Sequence, residues 1–424
     1  MNIPHVKYVL IGGGVASSAA VKAIRERDRE GSALLVGQEV NRPYQRQSLN
    51  KEFLLGAKER AALFTVPDEW FAEQQVELQT SRRATRLDMA RQTVTLDSGD
   101  EIGFTKLLIA TGGSPVHLKI PGAEMANVYY LRTLDDAERL CNAIEKARQE
   151  GRPHASGRGR ALVIGGGLLG VELAGSLKQA GLGVDLVVPE AYPWARFAGE
   201  TAGRFIMRYL ESQGVHLHLQ VVPLRLEGDG RVQRAVLSTG STLEVDFVVP
   251  AIGINPNKEI LRGTPIAAEK AILTDDHCRT SHPDVYAAGD CAVVYDPLFG
   301  KHRWIDHWEA AMLMGHVAGA NMAGGDERYA GVNHYSSGAL GARLEVWGEW
   351  RHIERRIVRG NTSVENADFV EIGVASDGRV SQVLAVNHSG EDEVLRELVD
   401  RRLNVNGLES SLRDPANPVG DLLG

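Results

Sequence analysis

Two short apolar runs end in the same glycine-rich turn, and this repetition constrains the fold more than any other feature of the chain. The first reads Tyr8-Val9-Leu10-Ile11-Gly12-Gly13-Gly14-Val15-Ala16-Ser17; the second reads Ala161-Leu162-Val163-Ile164-Gly165-Gly166-Gly167-Leu168-Leu169-Gly170. Glycine is needed where a strand turns sharply into a helix and lets backbone N–H groups approach a pyrophosphate at the helix start. One such turn is weak evidence, because a tight strand–helix connection without a ligand produces it too. Two copies imply two dinucleotides in one protein, an arrangement suited to passing electrons between them.

The surroundings of both turns repeat as well. Residues 6–11 form a buried-strand pattern, followed by a helix over Val15–Arg27 and a strand at Ala33–Val36. Gln38 and Glu39 come next, about twenty positions beyond the glycines, where an acid reads a ribose hydroxyl. The second unit has a strand at 161–164, a helix over 168–180, a strand at 184–188, and then Pro189-Glu190. Three more apolar strands, at 106–110, 247–251 and 285–288, stop at Thr111-Gly112-Gly113, Gly253 and Gly289-Asp290. Such breaker loops at strand ends are where ligands sit. Thr93–Leu96 alternates like a strand and runs into a Ser98-Gly99-Asp100 turn, and 135–149 and 306–322 read as helices. Residues 151–157 look like a linker. From Tyr329 onward the pattern changes to hairpins, at 342–350 and 353–358, then a charged helix over 391–402 and a polar tail.

The class that follows is α/β: two Rossmann-like nucleotide-binding domains, the second inserted in the first, plus a C-terminal α+β domain. The expected boundaries are 1–120 with 245–326 for the first domain, 121–244 for the second and 327–424 for the third. A length of 424 residues suits roughly two to four domains. A net charge of −8 argues against non-specific binding to nucleic acid or an anionic membrane, and the arginines at 351–359 and 152–160 read as solvated surface. Only Cys141, Cys278 and Cys291 occur, which gives neither a disulfide framework nor a zinc spacing, and no metal is expected. The N-terminus runs directly into the first strand, and no apolar run is long enough to span a bilayer. A reducing, cytoplasmic setting is the expectation.

With these motifs assembled, the chain resembles the two-dinucleotide flavoprotein reductases of the glutathione reductase superfamily. Gly12-x-Gly14-x-x-Ser17 matches the FAD fingerprint, with serine at the third small position, and Ala110-Thr111-Gly112-Gly113 matches the loop that crosses the flavin. Thr280 through Tyr286-Ala287-Ala288-Gly289-Asp290 matches the segment whose aspartate binds the ribityl chain; Gly165-x-Gly167-x-x-Gly170 matches the NAD(P)H site. Arg42-Pro43-Tyr44-x-Arg46-x-x-Leu49-x-Lys51 is similar to the signature of ferredoxin- and rubredoxin-type reductases and of apoptosis-inducing factor. Val188-Pro189-Glu190 and the run from Asp306-His307 to Gly319-Ala320-Asn321-Met322 resemble the latter branch. Tyr335-Ser336-Ser337-Gly338 departs from it, lacking the tryptophan that this branch often places over the nicotinamide pocket.

The resemblance implies FAD contacts at Gly12, Gly14, Ala16, Ser17, Glu39, Arg46, Lys51, Ala84, Ala110, Thr111, Gly112, Asp290 and His307. It implies NAD(H) contacts at Gly165, Gly167, Leu168, Leu169, Gly170, Glu172 and Glu190, and Gly253, at its strand end, is a further expected cofactor-binding residue. Flavin accepts hydride at N5 and gains negative charge toward N1 and C2, so a fixed cation there stabilises the reduced form. The resemblance gives that role to Lys51, pairs Glu172 with the lysine and the carboxamide, and sets His307 near the flavin edge. Lys51, Glu172 and His307 are thus the expected catalytic residues, although a carboxylate at 172 also suits a helix start. Glu190 favours NADH by accepting ribose hydroxyls and repelling a 2′-phosphate, while nearby Arg196 leaves NADPH open.

Disulfide reductases of this superfamily carry Cys-x-x-x-x-Cys near the first helix, and residues 38–60 contain no cysteine. Electrons must then leave for an acceptor docking at the flavin. Ferredoxin or rubredoxin leads by resemblance, a quinone or other small molecule follows, and a redox-sensing interaction protein like apoptosis-inducing factor is the alternative from another class. A homodimer stays open.

Overall fold

The structure, a computed structural model, describes residues 3–154 and 157–422. Met1, Asn2, Ala155, Ser156, Leu423 and Gly424 lie outside them, and with them the first residues of the N-terminal run, the middle of the linker-like stretch and the end of the polar tail. The chain forms two units. One comprises Met1–Arg46, Glu59–Ser114 and Ile254–Gly331; the other comprises Gln47–Lys58, Pro115–Gly253 and Val332–Gly424.

The first unit is built on a sheet in the order Val76–Gln79, Ala33–Val36, His5–Ile11, Glu101–Ile109, Thr93–Leu96, Ala84–Asp88, with Val285–Ala287 also paired to Glu101–Ile109. Val76–Gln79, Ala33–Val36, His5–Ile11, Glu101–Ile109 (paired from Gly103 onward) and Val285–Ala287 run parallel. Val9, Leu10, Leu35, Leu107 and Leu108 are buried throughout, as expected where helices cover both faces of a parallel sheet. Two helices, Val15–Arg27 and Trp308–Met322, meet backbone to backbone. A Cβ at Gly315 would lie 2.1 Å from the Ala16 carbonyl oxygen, and one at Gly319 would lie 2.2 Å from that of Ala20. A spacing of four residues puts both glycines on one helical face, so two side-chain-free positions let the helices touch. The later helix starts at Trp308 rather than 306, because His307 is extended (φ −133°, ψ 146°) and occupies the cap position.

The second unit contains the repeat. Val215–Leu219, Gly183–Val188, Arg160–Ile164 and Phe247–Pro250 form an all-parallel sheet. A three-stranded antiparallel sheet, Pro223–Gly228, Val232–Leu237 and Thr242–Glu244, shares a core with it through Leu162, Ile164, Val187, Leu226, Ala235 and Leu237. The C-terminal part is a five-stranded antiparallel sheet in the order His334–Ala339, Ala342–Gly348, Val380–Val386, Asp368–Ala375, Ile353–Asn361. Helix Asp392–Asp400 buries Leu395, Leu398 and Val399. The α/β class, with two Rossmann-type sheets and a C-terminal α+β part, holds.

The helix contact makes a direct prediction. Gly315→Ala drives a methyl group into the Ala16 carbonyl, and overpacking of this kind costs about 1–3 kcal/mol. A lower denaturant midpoint at unchanged slope is the expected result.

Candidate functional site

The two glycine turns agree bond for bond. Gly12 and Gly165 have φ of 122° and 117°, and a Cβ on them would lie 2.0 Å from the Ala110 oxygen and 2.3 Å from the Ala251 oxygen. The amide of Gly12 donates to Val36 and that of Gly165 to Val187, both at 2.8 Å; Ala110 N–H donates to Ile11 at 2.8 Å and Ala251 N–H to Ile164 at 2.7 Å. Gly14 and Gly167 behave oppositely. Nothing lies within 4 Å of a Cβ built on either. Each caps its helix without a side-chain bond, so the first N–H groups of both helices are available to an anion. A phosphate fits these two cradles, and a side chain at either glycine would fill them.

The third small position differs between copies. A Cβ at Gly170 would meet the Gly165 oxygen at 1.9 Å. Ser17, its counterpart, is buried and its Oγ has no hydrogen-bond partner among the described residues. Ala16 is buried under Gly289 and Gly315, while Leu168 and Leu169 stay half-buried on the first turn of the second helix. Gly253 (φ 106°) has open space beside it and accepts from Val116 N–H at 2.9 Å.

Around the first cradle, Glu39 accepts from Arg46 and, at 2.5 Å, from the Tyr44 hydroxyl; Arg46 also donates to that hydroxyl at 2.7 Å. Burial works against the Arg46 charge, yet Tyr44, Glu39 and Asp290 together hold the guanidinium above its ordinary value. Ala84 opens the strand Ala84–Asp88, and the preceding Ser81 N–H donates to the Glu39 carbonyl at 3.0 Å. The loop at Thr111 and Gly112 is latched by Asn257. The Thr111 hydroxyl donates to its carbonyl at 2.5 Å, its side-chain amide returns a bond to the Thr111 carbonyl at 3.0 Å, and its N–H donates to Gly112 at 2.9 Å. Asp290 sits on a 3-10 turn opened by Gly289 (φ 77°), and Trp304 Nε1 donates to its carbonyl at 2.8 Å. His307 lies half-buried, its ring 5.9 Å from that of Trp308.

Around the second cradle, Glu172 is the best-connected acid. Lys51 Nζ lies 3.1 Å from its Oε1, the Ser337 hydroxyl donates to the same oxygen at 2.7 Å, and Asn50 Nδ2 donates to Oε2 at 2.7 Å. Lys51 and Asn50 share the π-helical turn Leu49–Phe53, so one tight turn aims both at the carboxylate. The Glu172 side chain is 11% exposed, where an acid persists as an anion only if it is paired and hydrogen-bonded. Glu190 contrasts with it. It follows the strand Gly183–Val188 and pairs with Arg196 at 3.2 Å, but the Arg196 side chain is 79% exposed.

Motif reading had not singled out Asn50, Tyr44, Asn257, Trp304 or Ser337 as site residues. Tyr44 and Ser337 are named positions of the motifs above, and Asn50 is an unspecified one between Leu49 and Lys51.

Of the thiols, Cys291 borders the first cluster, hydrogen-bonding with Thr111 and Gly112. Burial pushes those of Cys278 and Cys291 above the ordinary value, and burial with Glu138 does the same to Cys141. None of the three is disulfide-bonded.

A fold with two dinucleotide cradles in one chain defines a class, and comparison with known proteins agrees. The chain belongs to the pyridine nucleotide-disulphide oxidoreductase family, whose model matches residues 6–315. It is 28% identical over 392 residues to the ferredoxin–NAD(+) reductase component of the anthranilate 1,2-dioxygenase system of Burkholderia cepacia, covering 92% of this chain and 93% of that one. It is 26% identical over 361 residues to the rubredoxin–NAD(+) reductase of Pseudomonas putida, covering 84% and 90%. Among solved structures, the covalent putidaredoxin reductase–putidaredoxin complex matches with a TM-score of 0.91 at 26% identity, over 100% of this chain and 99% of that one. No helix among the described residues is long and apolar enough to cross a membrane.

The cradles predict a clean separation of folding from binding. Gly167→Asp projects into open space and is a favoured cap, so we expect an undiminished melting temperature with nucleotide affinity lowered at least tenfold, about 1.4 kcal/mol. Titration of nucleotide binding beside a thermal melt measures both.

Proposed function

We propose that this chain is an NADH-dependent FAD reductase that delivers electrons to a ferredoxin or rubredoxin. One observation carries the reading: Gly14 and Gly167 both open a helix with free space where a side chain would stand. Residues 1–120 with 245–326 then form the FAD domain, 121–244 the NAD(H) domain and 327–424 an interface domain. FAD is held by Gly12, Gly14, Ala16, Ser17, Glu39, Arg46, Ala84, Ala110, Thr111, Gly112 and Asp290, with Lys51 and His307. NADH is held by Gly165, Gly167, Leu168, Leu169, Gly170, Glu172, Glu190 and Gly253. When bound, FAD supplies the conversion between a hydride taken from NADH and electrons released to a one-electron acceptor.

The chain's own part is positioning and charge. Lys51 supplies a fixed cation and orients Glu172; Glu172 accepts from the nicotinamide carboxamide. Asn50 and Ser337 keep the Glu172 carboxylate from rotating, each bond contributing about 1 kcal/mol. Helix starts at Gly14 and Gly167 hold the two pyrophosphates. His307, extended ahead of its helix, is the residue assigned to the acceptor side. The relatives' activities toward ferredoxin and rubredoxin support an iron–sulfur or rubredoxin acceptor. Three unpaired cysteines suit a reducing cytoplasm.

Anaerobic stopped-flow mixing tests the reading. NADH should bleach the flavin, and ferredoxin or rubredoxin should restore its colour faster than a quinone does. Faster restoration by the quinone makes the protein a small-molecule reductase; slow restoration by every acceptor, with an NADH-dependent change in size, makes it a sensor. Lys51→Met should slow the bleaching at saturating NADH by at least tenfold, and an unchanged rate would refute the role of Lys51.

Glu190 and Arg196 generate a second prediction. Exposed pairs contribute at most about 1 kcal/mol, so Arg196 is able to leave Glu190 for a 2′-phosphate. Arg196→Ala should raise the NADH/NADPH ratio of kcat/KM and Glu190→Arg should lower it, each by roughly tenfold.

A further inference from the structure

We infer that the C-terminal sheet fixes the loop that reads the NADH ribose, with Glu371 and Gln382 as its positioning residues. This rests on the assignment of Glu190 to that ribose. The loop 189–199 joins the strand Gly183–Val188 to the helix Glu200–Ser212, and carries both Glu190 and Arg196.

At its far end the loop is tied to strands that lie about 170 residues away in sequence. Glu371 Oε1 accepts from Gly199 N–H at 2.6 Å and its Oε2 accepts from Ala202 N–H at 3.3 Å. Gln382 Nε2 donates to the Phe197 carbonyl at 2.7 Å, and the Phe197 ring lies 5.1 Å from that of Trp350. Gly199 caps the helix without a side chain of its own, so Glu371 does for the first turn what a local serine or aspartate normally does. Its charge also suits the positive helix end. A buried carboxylate needs a partner. The Glu371 side chain is 1% exposed, and Arg356 donates to it at 2.8 Å and to Gln382 at 2.9 Å. Gly199 makes room for this junction: a Cβ there would lie 2.3 Å from Arg356 Cδ and 2.6 Å from Glu371 Oε1.

From Gly199 the order passes inward. Phe197 and Ala198 N–H both donate to the Trp194 carbonyl, at 2.7 and 2.8 Å, and Trp194 N–H donates to Gly166 at 2.8 Å. Gly166 is the middle residue of the second cradle. Trp194 is 1% exposed and holds φ at 64°, a left-handed conformation that an aromatic residue keeps only where its surroundings impose it. The chain Glu371 and Gln382, Phe197 to Gly199, Trp194, Gly166 therefore joins the sheet to the nucleotide turn. Glu190 lies beyond that span, four residues before Trp194 in the same loop, its carbonyl taken by Gln220 N–H at 3.1 Å.

A purely architectural role would make the same bonds, since the helix also packs on this sheet through Phe205 and Phe369. The two are separated by kinetics on the FAD-loaded protein. Glu371→Gln keeps the shape and removes the charge; Gln382→Met removes the donor to Phe197 and the acceptor for Arg356 while leaving Glu371 in place, and serves if Glu371→Gln does not fold. Expected are a KM for NADH raised roughly three- to tenfold, kcat at saturating NADH within about twofold, a shifted NADH/NADPH ratio, and faster tryptic cleavage at Arg196. Glu371→Asp should restore part of the lost affinity. A lowered melting temperature with unchanged KM and unchanged nucleotide ratio in both variants overturns the inference. Glu190→Gln is run alongside. If it raises KM while the positioning variants do not, the inference alone fails; if it leaves KM unchanged, the ribose assignment falls and takes the inference with it.

Discussion

A carbonyl oxygen standing where a side chain would be is the constraint on which both cradles depend. At Gly12 the Ala110 oxygen occupies that place, and at Gly165 the Ala251 oxygen does. A residue with a Cβ would push the neighbouring strand end away and break the Ala110–Ile11 or Ala251–Ile164 bond. With the strand ends closed on each other, the helix beginning three residues later finds no backbone partner for its first N–H groups. Gly14 and Gly167 add no side chain that could supply one. Anion affinity at both helix starts is thus a consequence of strand closure, and needs no charged residue.

This local logic explains what was legible in the sequence. Helix Val15–Arg27 and strands Ala33–Val36 and Thr93–Leu96 appear at the expected residues, because apolar periodicity and glycine placement determine them within a few positions. The sheet Pro223–Gly228, Val232–Leu237, Thr242–Glu244 was not anticipated. Its strands are short, alternate with exposed arginines and glutamates, and bury apolar residues only against the neighbouring core. The same holds for side chains completing the clusters. Asn50 meets Glu172 across 122 residues, Ser337 across 165, and Thr111 meets Asn257 across 146. A polar residue of ordinary type carries no mark of so distant a partner. Lys51 and Glu172 were readable only through a family motif, and Ser337 was noticed for the tryptophan it lacks rather than for the bond it makes.

Two carboxylates of the second nucleotide fold show how burial divides labour. Glu172 is nearly enclosed, with three donors around it, and removing any one leaves a charge short of a partner in a medium that screens poorly. Its geometry is therefore set before a ligand arrives. Glu190 faces solvent, and its partner Arg196 is more exposed still. Water screens that pair, the bond is weak, and either side chain can turn to a nucleotide at little cost. In the proposed reading the fixed acid serves the reacting end of the nucleotide and the adaptable one serves the recognised end.

The thiols argue the same division from the opposite side. A cysteine that relays electrons must be reachable as a thiolate, which a helix start or a neighbouring cation favours. Cys291 follows Asp290 directly, yet it is wholly buried, and its Sγ lies 3.4 Å from the carbonyl oxygens of Ile109 and Ala288. Burial pushes its thiol above the ordinary value, and hydrogen bonds with Thr111 and Gly112 offset only part of that rise. Cys278 is enclosed as well, with Asp275 and Asp276 adding to the rise. The chain keeps its family's nucleotide architecture while its cysteines are held as neutral thiols. A reductase of this construction must pass its electrons outward without sulfur, so selectivity for the acceptor rests on the surface offered to it.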